Sequence, residues 1–201
     1  MIKKQIELQQ KINKLDKNKI HLLFFEYSLK ENWLSKPFLP IIKLFFKLQN
    51  KPTIDHVCHI SRFIYDNETG NWIARIFETT LSGGRVEEND LFERLKNFKG
   101  KIYIQTLQNV NKIKAREFEK KYIGIPYSII LAGLSGIDFK FFNSKNKSNE
   151  QKASFCSSLE ALFLIDQNYD LSKIENGNPS EITPNDIFLY NLGETEIFFK
   201  S

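Results

Sequence analysis

One stretch constrains the fold more than any other. From Ile54 to Tyr65 both alternating parities carry apolar side chains: Ile54, His56, Cys58, Ile60 and Ile64 on one, Val57, His59 and Phe63 on the other. A strand that is apolar on both faces belongs in the middle of a covered sheet. Asp66-Asn-Glu-Thr-Gly70 supplies turn residues, and Trp72 to Thr79 reads as the returning strand of a hairpin with a long or bulged loop. Two further short apolar runs, Ile20 to Tyr27 and Lys101 to Leu107, extend the expected sheet.

The rest of the chain reads as helices and loops around that sheet. Residues 1–18 form a lysine-rich helix or extension with Ile2, Ile6, Ile12 and Leu15 loosely on one side; residues 19–201 read as a single domain. Pro37 to Leu48 is an apolar helix edged by Lys36, Lys43, Lys47 and Lys51. It reads first as a core helix covering the sheet, and also as a wall for a greasy substrate with weak contact to an anionic membrane surface. Glu87 to Asn97 predicts a short helix and Asn111 to Tyr122 a charged one that stops at Gly124 and Pro126. Tyr127 to Leu134 is apolar, and the polar run Phe142 to Lys152 reads as a surface loop. Asn176-Gly-Asn-Pro179 reads as another loop, and Asp186 to Tyr190 with Thr195 to Phe199 as a closing hairpin. The order predicts an α+β fold, an antiparallel sheet packed against helices.

Composition narrows the function classes. A chain of 201 residues, 41% hydrophobic and with 18 phenylalanines, can bury a real core as one domain. The net charge of +5 comes from scattered lysines without a compact basic block, so no nucleic-acid partner is expected. Two cysteines are too few for a disulfide framework, and no zinc-like Cys/His spacing appears; neither metal nor cofactor is expected. The charged start Met1-Ile-Lys-Lys leads into polar residues rather than an apolar signal segment, and no run approaches the ~20 apolar residues that span a bilayer. A cytoplasmic location is expected, with lysis or a dedicated route needed to reach a cell wall. Nothing in the sequence indicates an oligomeric state.

Three polar residues stand out. Cys156 opens a run in which Leu159, Leu162 and Phe163 repeat at helical spacing, with Ser157 and Glu160 forming a capping-box pattern and Ser154 a competing N-cap. A thiol at a helix start lies near unpaired backbone N–H groups, and such sites bring a cysteine pKa from about 8.5 to roughly 3.5–7.5. A small buried thiol is the plainer account of a lone cysteine. His56 lies in an apolar strand and Glu78 closes the paired one. Singly, these read as a core histidine and a solvated strand end; together, Cys, His and Glu are the parts of a nucleophile, a base and a group that orients the base.

The order of these motifs resembles the circularly permuted papain-like cysteine amidases, the YiiX-like branch of the NlpC-type superfamily. Leu22 to Phe25 looks like the family's first strand, and Phe38-Leu-Pro-Ile-Ile-Lys-Leu-Phe45 like its apolar helix. Asp55-His56-Val57-Cys58-His59-Ile60 is similar to the histidine motif, and Ile76-Phe77-Glu78 to the glutamate strand. Ile123-Gly124-Ile-Pro126-Tyr127 resembles the segment before the cysteine, Phe155-Cys156-Ser157-Ser158-Leu159-Glu160 the cysteine motif, and Ile182-Thr-Pro-Asn-Asp186 the start of a late strand. Asp55, Cys58 and Ser158 stand where the family has serine, glycine and glutamate, and Lys19-Ile20-His21 replaces its Gly-Asp start.

The resemblance covers about residues 20–190. It implies a permuted papain-like domain and a thiol hydrolase or acyl transferase acting on an amide or ester through an acyl-enzyme. Cys156 would be the nucleophile, His56 the general base and then acid, and Glu78 the orienting group. The Cys156 backbone N–H would help hold the oxyanion. Family substrates include cell-wall peptides, other amides and acyl lipids. A rival reading keeps the fold as a binding module without turnover. His59 faces away from His56 by strand parity, His21 matches no family base, and Cys58 begins no helix; Cys58 is expected near Cys156 because it shares the His56 face.

Overall fold

In the computed structural model, residues 2–28, 53–80, 83–126, 156–174, 179, 182–190 and 192–200 are described. The apolar segment 37–48, residues 127–155 and loop residues 176–178, and with them Ser154 and Phe155, lie outside them.

Helix α1 (Ile2–Lys14) precedes strands β1 (His21–Tyr27), β2 (His56–Asp66), β3 (Asn71–Thr79) and β4 (Val86–Asp90). Helix α2 (Leu91–Leu95), strand β5 (Gly100–Thr106), helices α3 (Lys112–Tyr122), α4 (Cys156–Asp166) and α5 (Pro184–Tyr190), and strand β6 (Thr195–Lys200) follow. The strands form one sheet in the order β4-β3-β2-β1-β5-β6, every neighbouring pair antiparallel. The expected α+β architecture is what this sheet and its helices make. Among the described residues, no helix is long and apolar enough to cross a membrane.

Strand β1 lies between β2 and β5, and His21 to Phe25 are all buried, as a central strand requires. Its side chains alternate between two cores. Leu22 and Phe24 join Val57, Phe77 and residues of α3, α4 and α5; Leu23 and Phe25 join Cys58, Ile60, Ile76 and residues of α1 and α2. Each fully buried phenylalanine or leucine contributes about 1.5–3 kcal/mol. Helix α1 is a docked part of the second core through Leu8 and Ile12, and Gln9 and Asn13 bond the Trp72 backbone.

Several sequence expectations change. The pairing of β2 with β3 shifts between Ile60 and Arg62, so a bulge at Ser61 brings Phe63, not Ile64, onto the face of Ile60. Ile64 is left exposed, and Ile54, ahead of the strand, packs with Val57 instead of with Cys58. Val86 to Asp90 is a strand pairing with β3, and the helix expected from Glu87 starts only at Leu91, where the Asp90 carboxylate accepts from the N–H groups of Phe92 and Glu93.

Pro184 to Tyr190 is a helix, not a strand, so β6 closes the sheet on β5 without a hairpin partner from that segment. Its physical signal is local: Thr183 and Asp186 bond each other's backbone N–H groups in a capping box, and Pro184 occupies the first helical position. Helix α4, expected to be amphipathic with Ser157 and Glu160 capping it, is instead buried on almost every side. Ser157 Oγ has no partner among the described residues, and Glu160 turns to His59.

Candidate active site

The start of β2 is tied down before the site begins. Asp55 donates its backbone N–H to the Phe25 carbonyl at 2.8 Å, and its carboxylate accepts from the Tyr27 N–H at 2.8 Å. Asn185 on α5 accepts from the Ile54 N–H, also at 2.8 Å. His56 therefore enters the sheet from a fixed direction, opposite Phe25 in the β1 pairing and with its ring 5.3 Å from that of Phe25.

Register then brings Glu78 to it. His59 pairs with Phe77 and Ile60 with Ile76, so the residues before them on β2 and after them on β3 share alternating faces. Cys58 and His56 thus face the same way as Glu78. His56 Nε2 lies 2.8 Å from Glu78 Oε2, with both side chains buried. An ionised carboxylate only accepts, so Nε2–H donates. The other carboxylate oxygen, Oε1, accepts from Asn89 Nδ2 at 3.1 Å and Arg94 Nε at 3.2 Å. Arg94 also donates to the Tyr27 hydroxyl at 2.7 Å and sits 5.5 Å over the Phe25 ring. Burial opposes the Glu78 charge, but the bonds and charges of His56, Arg94 and Asn89 hold its pKa below the ordinary carboxylate value.

Helix α4 delivers the third group. Cys156 is its first residue and is half-buried, and its sulfur makes hydrogen bonds with the His56 side chain and the backbone N–H groups of Val57 and Ser157. Burial works against a thiolate here, yet the His56 charge and these bonds lower the Cys156 pKa. His56 moves the other way: burial opposes its charge, but Cys156, Cys58 and Glu78 raise its pKa well above the ordinary value. A thiolate–imidazolium pair is the ionisation this geometry favours.

The structure thus brings together Cys156, His56 and Glu78, the three residues singled out from the sequence. No known protein family, curated protein or solved structure matches this chain. Cys58 also bonds His56, but burial pushes its thiol up to about 12. It is a neutral neighbour of the imidazole, and neither cysteine is in a disulfide. His56, Cys58 and Glu78 place ligand-type atoms within 4.8 Å of one another. A metal there would have to break the His56–Glu78 bond and ionise a buried thiol, so we do not assign these residues as ligands.

His59, on the opposite face, belongs to a second polar cluster. Its Nδ1 lies 2.9 and 3.0 Å from the two Glu160 oxygens, and its Nε2 lies 3.3 Å from Glu119 Oε1. His21 is buried at the start of β1, between Thr106 Oγ1 and the Asp16 carbonyl at 2.9 Å each. Sequence reasoning missed Asn89, Arg94 and Glu119, and read Glu160 as a helix cap where the structure has it facing His59.

Proposed function

We propose that the protein is a cysteine hydrolase that cleaves an amide or ester through an acyl-enzyme on Cys156. The observation that carries this reading is the chain of contacts from the Cys156 sulfur to the His56 ring and from His56 Nε2 to Glu78 at 2.8 Å. With Nε2 held by Glu78, Nδ1 is the ring nitrogen that serves the sulfur. The thiolate attacks the carbonyl carbon, and the carbonyl oxygen takes the negative charge. The Cys156 backbone N–H, unpaired within the helix because it lies in the first turn, would receive that oxyanion. Collapse of the tetrahedral species breaks the bond to the leaving amine or alcohol, which takes the Nδ1 proton. A water molecule, deprotonated by the now neutral His56, then hydrolyses the thioester and restores the thiolate–imidazolium pair. Glu78 holds the ring tautomer throughout without being protonated.

The three residues and their order along the chain also support the permuted papain-like reading of the fold, with a cell-wall-type peptide, another amide or an acyl lipid as substrate class. An electrophilic thiol probe with peptide mapping tests the reading. Labelling should fall on Cys156, require the folded chain and be lost in His56→Ala. Labelling that appears only after denaturation would leave a papain-like binding module.

A further inference from the structure

Strand β2 and helix α4 meet at two polar pairs, not one. The first is His56 with Cys156; the second is His59 with Glu160, three residues further along the strand and four along the helix. Residues four apart lie on one helix face, so Cys156 and Glu160 are presented by the same side of α4. His59 and Glu160 are both fully buried, and the imidazole stacks on Phe163 of the same helix at 4.1 Å and 16°. The Phe77 ring, on β3, closes the site at 5.3 Å.

Both His59 nitrogens face carboxylates, which makes both of them donors and the ring an imidazolium. The charged groups around it are Glu160 from α4, Glu119 from α3, and Arg116, which donates to Glu119 at 2.6 Å and lies 3.8 Å from Glu88 of β4. A buried charge cluster of this kind is a poor source of net stability, since well-packed apolar residues do as well or better. It does specify one register. Sliding the helix along the strand would uncouple His59 from Glu160 and strand two charges in the core.

We propose that His59 and Glu160 are positioning residues that lock the register between the strand bearing His56 and the helix bearing Cys156, and so set the sulfur–imidazole contact. The proposal rests on the hydrolase reading above. Displacements of about 1 Å remote from the chemistry can cost about 100-fold in rate.

The test is the pH dependence of Cys156 alkylation by iodoacetamide in the full chain, which needs no substrate. Wild-type protein should react rapidly well below the ordinary thiol range of about pH 8.5. Glu160→Gln keeps an acceptor for the Nδ1–H and should retain that profile. Glu160→Ala removes it and should slow alkylation at about pH 6 by about 10- to 100-fold, the profile moving toward that of an ordinary thiol. Should Glu160→Ala fail to fold, Glu160→Asp, one methylene shorter, is expected to move the profile in the same direction. A folded Glu160→Ala or Glu160→Asp protein that keeps the wild-type profile overturns the positioning role and leaves the hydrolase reading standing. A wild-type Cys156 with an ordinary thiol profile defeats both.

Discussion

His56 and His59 lie three residues apart on one strand and face opposite sides of the sheet, each against a buried glutamate. The two imidazoles are therefore separated by the sheet itself while the same helix, α4, touches both. One end of that helix meets His56 through sulfur and the next turn meets His59 through a carboxylate.

The His59 cluster predicts a specific pH dependence of stability. Burial disfavours its charge, but Glu160 and Glu119 raise its pKa to about 9, against about 6.5 when unfolded. The folded state thus binds this proton more tightly. The resulting stabilisation, on the order of 3 kcal/mol, is complete below about pH 6.5 and is lost as pH rises through about 9. In a Cys156→Ala background, which removes the thiolate beside His56, the urea midpoint should fall between about pH 6.5 and about pH 9.5. Adding Glu160→Gln should make that fall smaller. An equal fall with and without Glu160→Gln would show that His59 is not its source.

Much of the sheet was readable because its strands are apolar on both parities and separated by turn residues, as in Leu22 to Phe25 and the Asp66 to Gly70 turn. Val86-Glu-Glu-Asn-Asp90 was not, since its polar side chains say little and its extended form depends on pairing with β3. The bulge at Ser61 has no sequence mark either, and it decides that Phe63 packs partly buried against the core while Ile64 is exposed. The helix at Pro184 did carry its signal in Thr183 and Asp186, which a late-strand expectation overrode. Cys156, His56 and Glu78 were each visible as residues, but their meeting depends on the pairing of Ile60 with Ile76, which periodicity does not supply.

The two cysteines should differ sharply in reactivity. Cys156 is half-buried with a lowered pKa, whereas Cys58 is fully buried with a thiol pushed up to about 12. Native protein at about pH 7 should take up a single equivalent of iodoacetamide, all of it on Cys156, and a second only on unfolding. Substantial native labelling of Cys58 would contradict the buried, neutral thiol.

Gly100 should be irreplaceable for a steric reason. It begins β5 with φ of 150°, opposite Tyr27, and a Cβ there would come within 2.0 Å of the Glu26 carbonyl oxygen. The obstacle is backbone of a central strand, which cannot swing aside. Gly100→Ala is expected to cost about 2–3 kcal/mol, read as a lower denaturant midpoint with an unchanged slope. A midpoint equal to the wild type would mean that the β1–β5 approach is looser than this geometry.

Glu78→Gln separates orientation from folding in the site itself. The glutamine is nearly isosteric, so one oxygen can still accept from Asn89 or Arg94. What is lost is the charge facing Arg94 and the certainty that an acceptor faces His56 Nε2, because the amide can present its NH2 group instead. Loss of the ion pair should cost about 1–3 kcal/mol of stability, and the protein should remain folded. His56, freed to adopt the tautomer with its proton on Nδ1, would no longer accept from the thiol, and its raised pKa would fall without the carboxylate beside it. Turnover should then drop by between about 100-fold and about 10,000-fold on any substrate that Cys156→Ala fails to cleave. The pH profile carries the sharper signature. Activity in the wild type should rise as the thiolate forms, at a pH below the ordinary thiol range, and fall only as the raised His56 pKa is passed; the two limbs belong to the coupled pair. In Glu78→Gln the alkaline limb should move to lower pH and narrow the profile. A folded Glu78→Gln protein with wild-type turnover and both limbs in place would remove Glu78 from the catalytic machinery and leave it a buried anchor for Arg94.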